Sequence, residues 1–331
     1  MSGAIVPASP EAIAEAARLL RDGRLVAFPT ETVYGLGANA ADPAAVRRIF
    51  AAKGRPADHP VIVHLADAAA LTDWARDVPA PARALAAAFW PGPLTLILPR
   101  AAGVHDVLTG GQDTVGIRVP SHPVARALLR AFGGGIAAPS ANRFGHVSPT
   151  AAAHVVADLG DRVALVLDGG ACDVGIESTI VAFRGDTPML LRPGGIGVDA
   201  LTRALGRPPA GADAGAPRAS GTLPSHYAPR TPASLLAPDL LRAELAQLTA
   251  RDERVAVLAR TLSPPDDFDG VWIAAPADPA RYAHDLYAHL RALDAADADV
   301  LLIEAVPDDA AWLAVRDRLT RATHGEDDDR D

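Results

Sequence analysis

The sequence predicts an α/β protein of two domains: a mixed, twisted β-sheet with flanking helices, followed by a smaller α/β domain. Three observations support this fold class. Short apolar runs alternate with stretches of helical spacing, and some strands follow one another without a helix between them, so part of the sheet is antiparallel. Residues 206–232 are dense in Pro, Gly, Ala and Ser, which is typical of a linker. The 331 residues suffice for two hydrophobic cores.

The first domain is predicted from apolar periodicity and from the glycines and prolines that interrupt it. Helical spacing predicts helices over 10–21, 44–52, 68–78, 80–90, 122–132 and 149–159. Apolar or β-rich runs predict strands over 25–29, 61–65, 94–99, 114–119, 136–139, 163–167, 178–183 and 189–192. Only a loop separates 94–99 from 114–119, so we expect these strands to pair antiparallel. Ser148 and Pro149 suit the N-cap and first position of the helix over 149–159.

The second domain is predicted from a regular alternation of elements. Strands over 255–258, 271–274 and 300–305 alternate with helices over 238–249, 279–293 and 309–323. This pattern predicts a compact, Rossmann-like domain with a parallel sheet. The predicted organisation is a domain over 1–205, a linker over 206–232, a small domain over 233–324 and a disordered acidic tail over 325–331. His226 and Tyr227 lie in the linker without a core of their own, so we expect the linker to be an active-site lid.

Composition excludes several classes of protein. The sequence has no run of eighteen apolar residues and no secretory signal, and its one cysteine, Cys172, excludes an intramolecular disulfide. We therefore expect a cytoplasmic protein without a membrane span. The net charge of −9 argues against strong direct binding of nucleic acid. Phosphate-loop, dinucleotide and nucleophile-elbow motifs are absent from the sequence, and the histidines show no spacing typical of a zinc site.

Lysine usage singles out one position. Of 31 basic residues, only Lys53 is a lysine, and it lies in Lys53-Gly54-Arg55-Pro56 at the predicted end of a helix. Gly54 suits the residue that ends the helix, and Pro56 keeps Arg55 extended. A lysine and an arginine in this arrangement suit phosphate oxygens. The alternative interpretation is a surface lysine with no function. We expect Lys53 to be exposed at the helix end, so that its replacement abolishes activity but leaves the fold intact.

Hydroxyls and arginines follow several predicted strands. The run 29–37 carries hydroxyls and two glycines after a buried strand, a place where α/β sheets hold ligands. Arg118 lies in an otherwise apolar strand and must be paired or reach a cleft, where it could hold a carboxylate bidentately. Further polar residues at strand ends are Ser140, Asn142, Ser178 and Arg192. A strand-ending turn explains the first run equally well, and such arginines are often structural ion pairs.

In this order, the polar residues resemble the YrdC-like domain of the threonylcarbamoyl-AMP synthases. The segments that carry the resemblance are Pro29-Thr30-Glu31-Thr32-Val33-Tyr34-Gly35-Leu36-Gly37, Lys53-Gly54-Arg55-Pro56, Ser140-Ala141-Asn142, Ser178-Thr179 and Arg192-Pro193-Gly194. His226-Tyr227-Ala228-Pro229 and the α/β unit after it are similar to the two-domain form of the family, with its additional C-terminal domain. The resemblance covers roughly residues 10–324 and implies a YrdC-like fold for the first domain.

The resemblance also implies an activity and a site. The family makes threonylcarbamoyl-AMP and pyrophosphate from L-threonine, bicarbonate and ATP, with Mg²⁺ carried on the nucleotide and no protein-bound metal. A tRNA threonylcarbamoyl transferase complex then modifies an adenosine of tRNA. By motif position, the residues facing L-threonine are Thr32, His64, Arg118, Ala138 and Ser178. Those facing ATP are Lys53, Arg55, His59, Thr114, Ser140, Asn142, Ser148, Arg192 and His226, of which Lys53 and Arg55 are the implied catalytic residues.

The sequence departs from the family at three of these loop positions, and two other functions stay open. The family has asparagine where His59 stands, leucine at Val61 and a small polar residue at Phe144. One alternative is a non-enzymatic RNA-binding module, since a local cationic site can hold RNA phosphates. The other is a carbamoyl transferase that acts on a different acceptor through similar phosphate-binding loops. The acidic net charge counts against the RNA-binding module.

Overall fold

The computed structural model describes residues 4–324, so the acidic tail predicted over 325–331 lies outside the described residues. The chain divides into two compact units. The first contains the residues up to Phe144 together with Ser148–Thr222. The second contains Gly145–Val147 and the residues from Leu223 onward. The division after Thr222 falls within the linker predicted over 206–232, and most of that linker belongs to the first unit.

The first unit is built on one mixed sheet. Its helices are α1 (Pro10–Arg21), α2 (Pro43–Lys53), α3 (Leu71–Trp74), α4 (Ala80–Phe89), α5 (Asp106–Thr109), α6 (Pro123–Phe132), α7 (Ala152–Leu159) and α8 (Val198–Leu205). Its strands are β1 (Ala4–Pro7), β2 (Val26–Phe28), β3 (Gly35–Asn39), β4 (Ile62–His64), β5 (Leu94–Pro99), β6 (Thr114–Arg118), β7 (Ile136–Ala137), β8 (Leu165–Asp168), β9 (Thr179–Arg184), β10 (Thr187–Arg192) and β11 (Ala210–Gly211). The strand order is β1-β8-β2-β3-β7-β4-β6-β5-β9-β10-β11. The antiparallel pairing predicted for the fifth and sixth strands is confirmed by the register Thr95↔Arg118.

Helix ends follow the local sequence closely. Ser9 accepts a hydrogen bond from the backbone of Ala12 and caps α1. Asp42 caps α2 in the same way, and Gly54 ends that helix with a φ of +66°, a left-handed conformation that glycine adopts without steric cost. These two helices therefore begin and end where capping residues allow, which is why periodicity predicted them well.

Two predicted helices of the first unit are wrong in extent. The helix predicted over 149–159 begins only at Ala152, and its N-cap is Ala151, without a side-chain bond. Ser148 is not the cap, because its hydroxyl donates to the Glu177 carboxylate. The helix predicted over 68–78 is a 3₁₀ turn followed by the short α3, after which Ala75 is extended and bridges to Arg100.

Three strands of this sheet were not predicted: β1, β3 and β11. The third strand begins in the run 29–37, which the sequence analysis interpreted as a polar turn because glycines are typical of turns. A Cβ on Gly37 would lie 2.9 Å from the Phe28 ring and 3.1 Å from the Val26 carbonyl oxygen. The glycine is thus required by close packing of strands, and not by a turn.

Buried side chains cover the faces of the sheet in separate clusters. The largest cluster joins residues of α2 and α4, such as Ile49 and Leu85, to strand residues such as Val63. A second cluster packs α1 and α6 against β2 and β8. A third, smaller cluster consists of Ile62, Ile97, Ile180, Ala182, Met189 and Ala219. Since Ala219 comes from the predicted linker, that segment covers part of the sheet.

The second unit is a parallel α/β sheet, as predicted, with one more strand than expected. Its helices are α9 (Pro238–Ala250), α10 (Pro279–Asp294) and α11 (Leu313–Ala322). Its strands are β12 (Ala233–Leu236), β13 (Val255–Ala259), β14 (Val271–Ala274) and β15 (Val300–Glu304), in the order β12-β15-β13-β14. The additional strand, β12, follows the linker directly. Across residues 4–324, no helix is long and apolar enough to cross a membrane.

Glu304 ties two strand ends of this sheet together. Its buried carboxylate accepts hydrogen bonds from the backbone N–H groups of Arg260 (2.7 Å) and Thr261 (2.8 Å) and from the Thr261 hydroxyl. Burial alone would raise the pKa of Glu304, but these hydrogen bonds outweigh it and lower the pKa. The carboxylate therefore stabilises the unit at neutral pH, and this stabilisation is lost as the pH falls through the lowered pKa.

Replacement of Glu304 by glutamine should destabilise the protein by about 1–3 kcal/mol, because an amide NH₂ would face N–H donors. Thermal denaturation of the full chain at neutral pH measures this loss. The exposed Glu253 gives the matched control, and Glu253→Gln should leave the melting temperature unchanged. Equal melting temperatures for the two variants would contradict the assigned role of Glu304.

Candidate active site

One face of β6 carries the predicted polar residues. Val115 and Ile117 point into the main core, so Arg118 lies on the other face. The register pairs Arg118 with His64 on one neighbouring strand and with Thr95 on the other. Residues paired directly across strands share a face of the sheet. The sheet thus brings an arginine, a histidine and a threonine side by side.

Arg118 is held by a buried ion pair. One terminal nitrogen donates to Glu31 Oε1 at 2.7 Å and the other to Thr32 Oγ1 at 2.8 Å. The second oxygen of Glu31 accepts from the backbone N–H of Ser121 at 3.1 Å. Burial would raise the pKa of Glu31, but the charge and hydrogen bond of Arg118 outweigh it and lower the pKa. These contacts engage both terminal nitrogens of Arg118 and hold its guanidinium in place.

Beside this ion pair, His64 is a neutral imidazole. Burial, and then the positive charge of Arg118, lower its pKa to about 3. Within residues 4–324, His64 Nδ1 and Arg118 Nε are buried without a hydrogen-bond partner. Buried polar atoms without partners are rare, and two of them on paired strand residues fit a small polar ligand.

Ser178 connects the Arg118 region to a second arginine. Its hydroxyl lies 2.8 Å from the Thr95 hydroxyl and accepts from Arg192 Nη2 at 3.2 Å. Arg192 also donates from Nη2 to the Ser178 carbonyl oxygen at 2.9 Å. The predicted threonine-facing and ATP-facing residues therefore meet at Ser178.

Ser220, from the predicted linker, lies between two guanidinium groups. Its carbonyl oxygen accepts from Arg192 Nη1 at 2.8 Å. Its hydroxyl donates to the Pro60 carbonyl oxygen at 2.8 Å and accepts from Arg55 Nη2 at 3.4 Å. Arg55 Nη2 also donates to Pro60 at 2.8 Å. The linker thus contacts both arginines that the sequence assigned to phosphate.

Lys53 is buried, so the interpretation as a surface lysine is wrong. It is only 4% exposed, and its ammonium donates to the carbonyl oxygens of Ser140 and Asn142, each at 2.5 Å. The backbone N–H of Phe144 donates in turn to the Lys53 carbonyl oxygen at 2.9 Å. Burial, and then the charge of Arg55, lower the pKa of Lys53 well below its ordinary value. Lys53 therefore holds the 140–144 loop through both its side chain and its backbone carbonyl oxygen.

Two of the three positions that depart from the family, His59 and Phe144, touch each other. The rings of His59 and Phe144 meet edge to face with centroids 5.4 Å apart. The Arg55 guanidinium lies 5.8 Å from the centroid of the same Phe144 ring. Burial, and then the charge of Arg55, lower the pKa of His59, which keeps the imidazole neutral. The paired replacements thus form an aromatic contact beside Arg55.

The other residues that the sequence assigned to the site lie on several different elements. Ala138 follows β7 and donates its N–H to the Ile62 carbonyl oxygen. Ser148 donates to Glu177 at 2.6 Å. Thr114 begins β6 and lies about 13 Å along that strand from Arg118, on the same face. His226 belongs to the second unit.

The sequence analysis did not assign four residues that contact the candidate site: Glu31, Thr95, Glu177 and Ser220. The signal for Glu31 was available, because a buried arginine in a strand requires a counter-ion and Glu31 stands in the first polar run. Thr95 gave no signal, since threonine is common in strands. Ser220 stands in a low-complexity segment where one serine resembles another.

The fold and the site define an α/β protein with a buried, cationic, hydroxyl-rich candidate site on one face of a mixed sheet. Residues 18–194 match the Sua5/YciO/YrdC family, described as "Telomere recombination", and residues 196–324 match the family described as "Threonylcarbamoyl-AMP synthase, C-terminal domain". The chain belongs to the threonylcarbamoyl-AMP synthase family.

Relatives match over nearly the whole length. Threonylcarbamoyl-AMP synthase of Bacillus subtilis is 41% identical over 329 residues, covering 95% of this chain and 93% of the relative. A solved structure of Sua5 from Pyrococcus abyssi in complex with L-threonine is 39% identical, covers 97% of this chain and 96% of that chain, and has a TM-score of 0.87. A variant of the same protein with two alanine substitutions has a TM-score of 0.89 at 38% identity, with the same coverage. These matches confirm the family and the fold predicted from the sequence.

Proposed function

We propose that the chain is an L-threonylcarbamoyladenylate synthase, which forms threonylcarbamoyl-AMP and pyrophosphate from L-threonine, bicarbonate and ATP. The observation that supports it best is the junction at Ser178. On one side lie Arg118, His64 and Thr32, which suit a small hydroxy-amino acid, and on the other lies Arg192, which suits phosphate. An enzyme that joins an amino acid to a nucleotide needs these two sets of groups in contact.

The chemistry requires positioning and charge neutralisation. The threonine amine and bicarbonate condense to a carbamate with loss of water. A carbamate oxygen then attacks the α-phosphorus, a new P–O bond forms, and the bond to the departing pyrophosphate breaks. Both partners are anions, so cations are needed to bring them together. Lys53, Arg55 and Arg192 supply them, and a phosphate beside Lys53 would raise its pKa again.

Threonine recognition would use the polar atoms around Arg118. The neutral His64 offers Nδ1 as an acceptor or donor, and Arg118 offers Nε to the threonine carboxylate. The hydroxyls of Thr32 and Ser178 can hydrogen-bond the threonine hydroxyl. No protein nucleophile is required, and Cys172 would be a poor one, because burial raises its thiol pKa to about 12.

Mg²⁺ is proposed to arrive with the nucleotide. Among residues 4–324, no group of three or more His, Cys, Asp or Glu side chains could hold a metal ion. A cation carried on the triphosphate would neutralise phosphate charge. Lys53, Arg55 and Arg192 then act alongside it on the remaining oxygens.

We also propose that the linker is a lid. The contacts of Ser220 with Arg55 and Arg192 support this, because phosphate oxygens would compete with its carbonyl and hydroxyl oxygens for the same donors. Phosphate entry would thus exchange linker contacts for nucleotide contacts. The product would pass to a tRNA threonylcarbamoyl transferase complex in the cytoplasm, and the acidic net charge fits an enzyme that leaves tRNA binding to that partner.

The central test is the substrate dependence of pyrophosphate release. Release from ATP should require both bicarbonate and threonine, and isotopic label from bicarbonate should appear in the nucleotide product by mass spectrometry. Valine should be a poor substitute, since it leaves buried hydroxyl partners unpaired at a loss of roughly 1–3 kcal/mol per group. Free phosphate should not accumulate, because attack is at the α-phosphorus.

The variant Thr32→Val tests threonine recognition from the side of the protein. It removes the oxygen that accepts from Arg118 while keeping the side-chain shape. The KM for threonine should rise, while the KM for ATP should change little. Phosphate in place of pyrophosphate, or a rate indifferent to threonine, would overturn the proposal, and stabilisation by RNA but not by ATP with threonine would favour an RNA-binding module.

A further inference from the structure

Within the first unit, the linker reaches the candidate site through Ser220. Its carbonyl and hydroxyl oxygens accept from Arg192 and Arg55. Tyr227, which the sequence analysis expected to lack a core, is instead 1% exposed and stacks on Tyr287 of the second unit, with centroids 5.7 Å apart. The contacts that hold Ser220 in place come from the linker residues just before it.

A glutamine side chain pairs with the backbone of the linker at Arg218. Gln112 Oε1 accepts from the Arg218 N–H at 2.7 Å, and Gln112 Nε2 donates to the Arg218 carbonyl oxygen at 3.1 Å. The same Nε2 donates to the Thr109 carbonyl oxygen at 3.2 Å, which orients the amide. A side-chain amide offers both a donor and an acceptor, so it can pair with the two backbone groups of one residue as a neighbouring strand would.

The side chain of Arg218 adds a second attachment to the same loop. Arg218 Nη2 donates to the Gly110 carbonyl oxygen at 2.8 Å, and Nη1 lies 3.7 Å from the Asp58 carboxylate. Gly110 packs directly on the backbone of Asp58, because a Cβ on this glycine would lie 2.0 Å from the Asp58 carbonyl oxygen. Arg218 is therefore fixed to the loop 109–112 and, through that loop, to the segment that contains Pro60.

This attachment lies two residues before Ser220. Two residues span at most about 7 Å, so a fixed Arg218 keeps the oxygens of Ser220 close to Arg55 and Arg192 even when they are displaced. Ala219, between them, is 6% exposed and packs in the cluster that contains Ile62. A group tethered this closely competes for a site at a high effective concentration.

We propose that Gln112 is a positioning residue that anchors the linker at Arg218, so that Ser220 competes with phosphate for Arg55 and Arg192. The linker up to Arg218 stays in place when phosphate binds, and the contacts of Ser220 are exchanged for those of the nucleotide. The inference rests on the proposed function, because the role of the two arginines toward phosphate comes from it.

The test compares Gln112→Leu with the wild type in the full chain, with inorganic pyrophosphate as the probe. Hydrogen exchange of the amides over 218–222 should be faster in Gln112→Leu, because Arg218 loses its backbone pairing. Calorimetric titration should give a Kd for pyrophosphate about three- to tenfold lower than in the wild type, since affinity rises with the fraction of molecules whose arginines are not occupied by Ser220. A variant whose first unit was merely damaged would bind pyrophosphate more weakly.

Asp213→Asn is the matched control in the same linker. Asp213 accepts from Arg184 Nη1 at 2.9 Å and from Nη2 at 2.8 Å, but the pair is exposed, and exposed ion pairs contribute little. Exchange over 218–222 and the Kd for pyrophosphate should therefore be unchanged. If Gln112→Leu does not fold, Arg218→Met removes the side-chain attachment and should shift both measurements in the same direction by a smaller factor.

Unchanged exchange over 218–222 in Gln112→Leu would overturn the anchor, and so would pyrophosphate binding that is unchanged or weaker. Failure of the proposed function would give a different result. A wild type that binds pyrophosphate but releases none from ATP with threonine and bicarbonate would remove the function, while tighter pyrophosphate binding by Gln112→Leu would still support the anchor. A wild type that makes the adenylate, with a Gln112→Leu variant that matches it in exchange and in binding, would remove the anchor alone.

Discussion

Replacement of Lys53 by methionine should abolish adenylate formation and also destabilise the first unit. The buried carbonyl oxygen of Asn142 and the partly buried one of Ser140 would lose their donor, at a cost of up to about 1–3 kcal/mol each. Loss of a preorganised cation at the phosphates should slow the reaction by about 10²–10³-fold or more. Pyrophosphate release and thermal denaturation measure the two effects. The sequence alone predicted an intact fold for such a variant, and burial of the side chain overturns that expectation.

Lys53→Arg and Arg47→Met complete the experiment. The arginine variant keeps the charge but must fit a wider, planar fork where an ammonium meets two carbonyl oxygens, so we expect impaired turnover. Arg47 lies on the same helix and is exposed, so its loss should change neither stability nor rate. Wild-type turnover of Lys53→Arg would show that the point charge is not required.

Loss of Arg118 should give the second large effect. Arg118→Met would leave the buried Glu31 carboxylate without its counter-ion, a loss of about 3–5 kcal/mol. The double variant Glu31→Gln/Arg118→Met should be more stable than Arg118→Met alone, since it removes the uncompensated charge. Chemical denaturation of the wild type, both single variants and the double variant measures this coupling.

The same pair predicts a pH dependence with a definite sign. In the wild type, the pKa of Glu31 is lowered, so its stabilising contribution is present at neutral pH and lost only in acid. Without Arg118, burial would raise the pKa of Glu31 above its unfolded value, and folding would then favour its protonated form. The deficit of Arg118→Met should therefore be smaller at about pH 5 than at about pH 7.5. A deficit that grows in acid would contradict the ion-pair assignment.

The sequence predicted best where one local rule decides the structure. Capping residues and apolar spacing placed α1 and α2. The short connection expected between β5 and β6 indicated their antiparallel pairing, although that connection contains the short helix α5. The rule failed at Ser148, because a hydroxyl that suits a helix cap was also within reach of Glu177, a partner 29 residues away. Local preference cannot anticipate such a tertiary competitor.

Prediction of the site was likewise limited by contacts between residues far apart in the sequence. Arg118 in its apolar strand and the solitary Lys53 were informative. Burial of a charge costs free energy, so a charged residue in such a place indicates a specific role. Which groups compensate those charges depends on strand register, and the register brought Thr95 and His64 beside Arg118. Lys53 was placed on the surface because a helix end is usually exposed, whereas here the 140–144 loop folds over it.

The solitary lysine also makes the protein a ready subject for chemical labelling. An amine-directed reagent meets only one ε-amino group in the entire sequence, that of Lys53. Because burial lowers its pKa, this amine is in its reactive, uncharged form at a lower pH than a surface lysine would be, while the loop over it limits access. The rate of modification at this one position would therefore follow the opening of the loop, without any engineered tag.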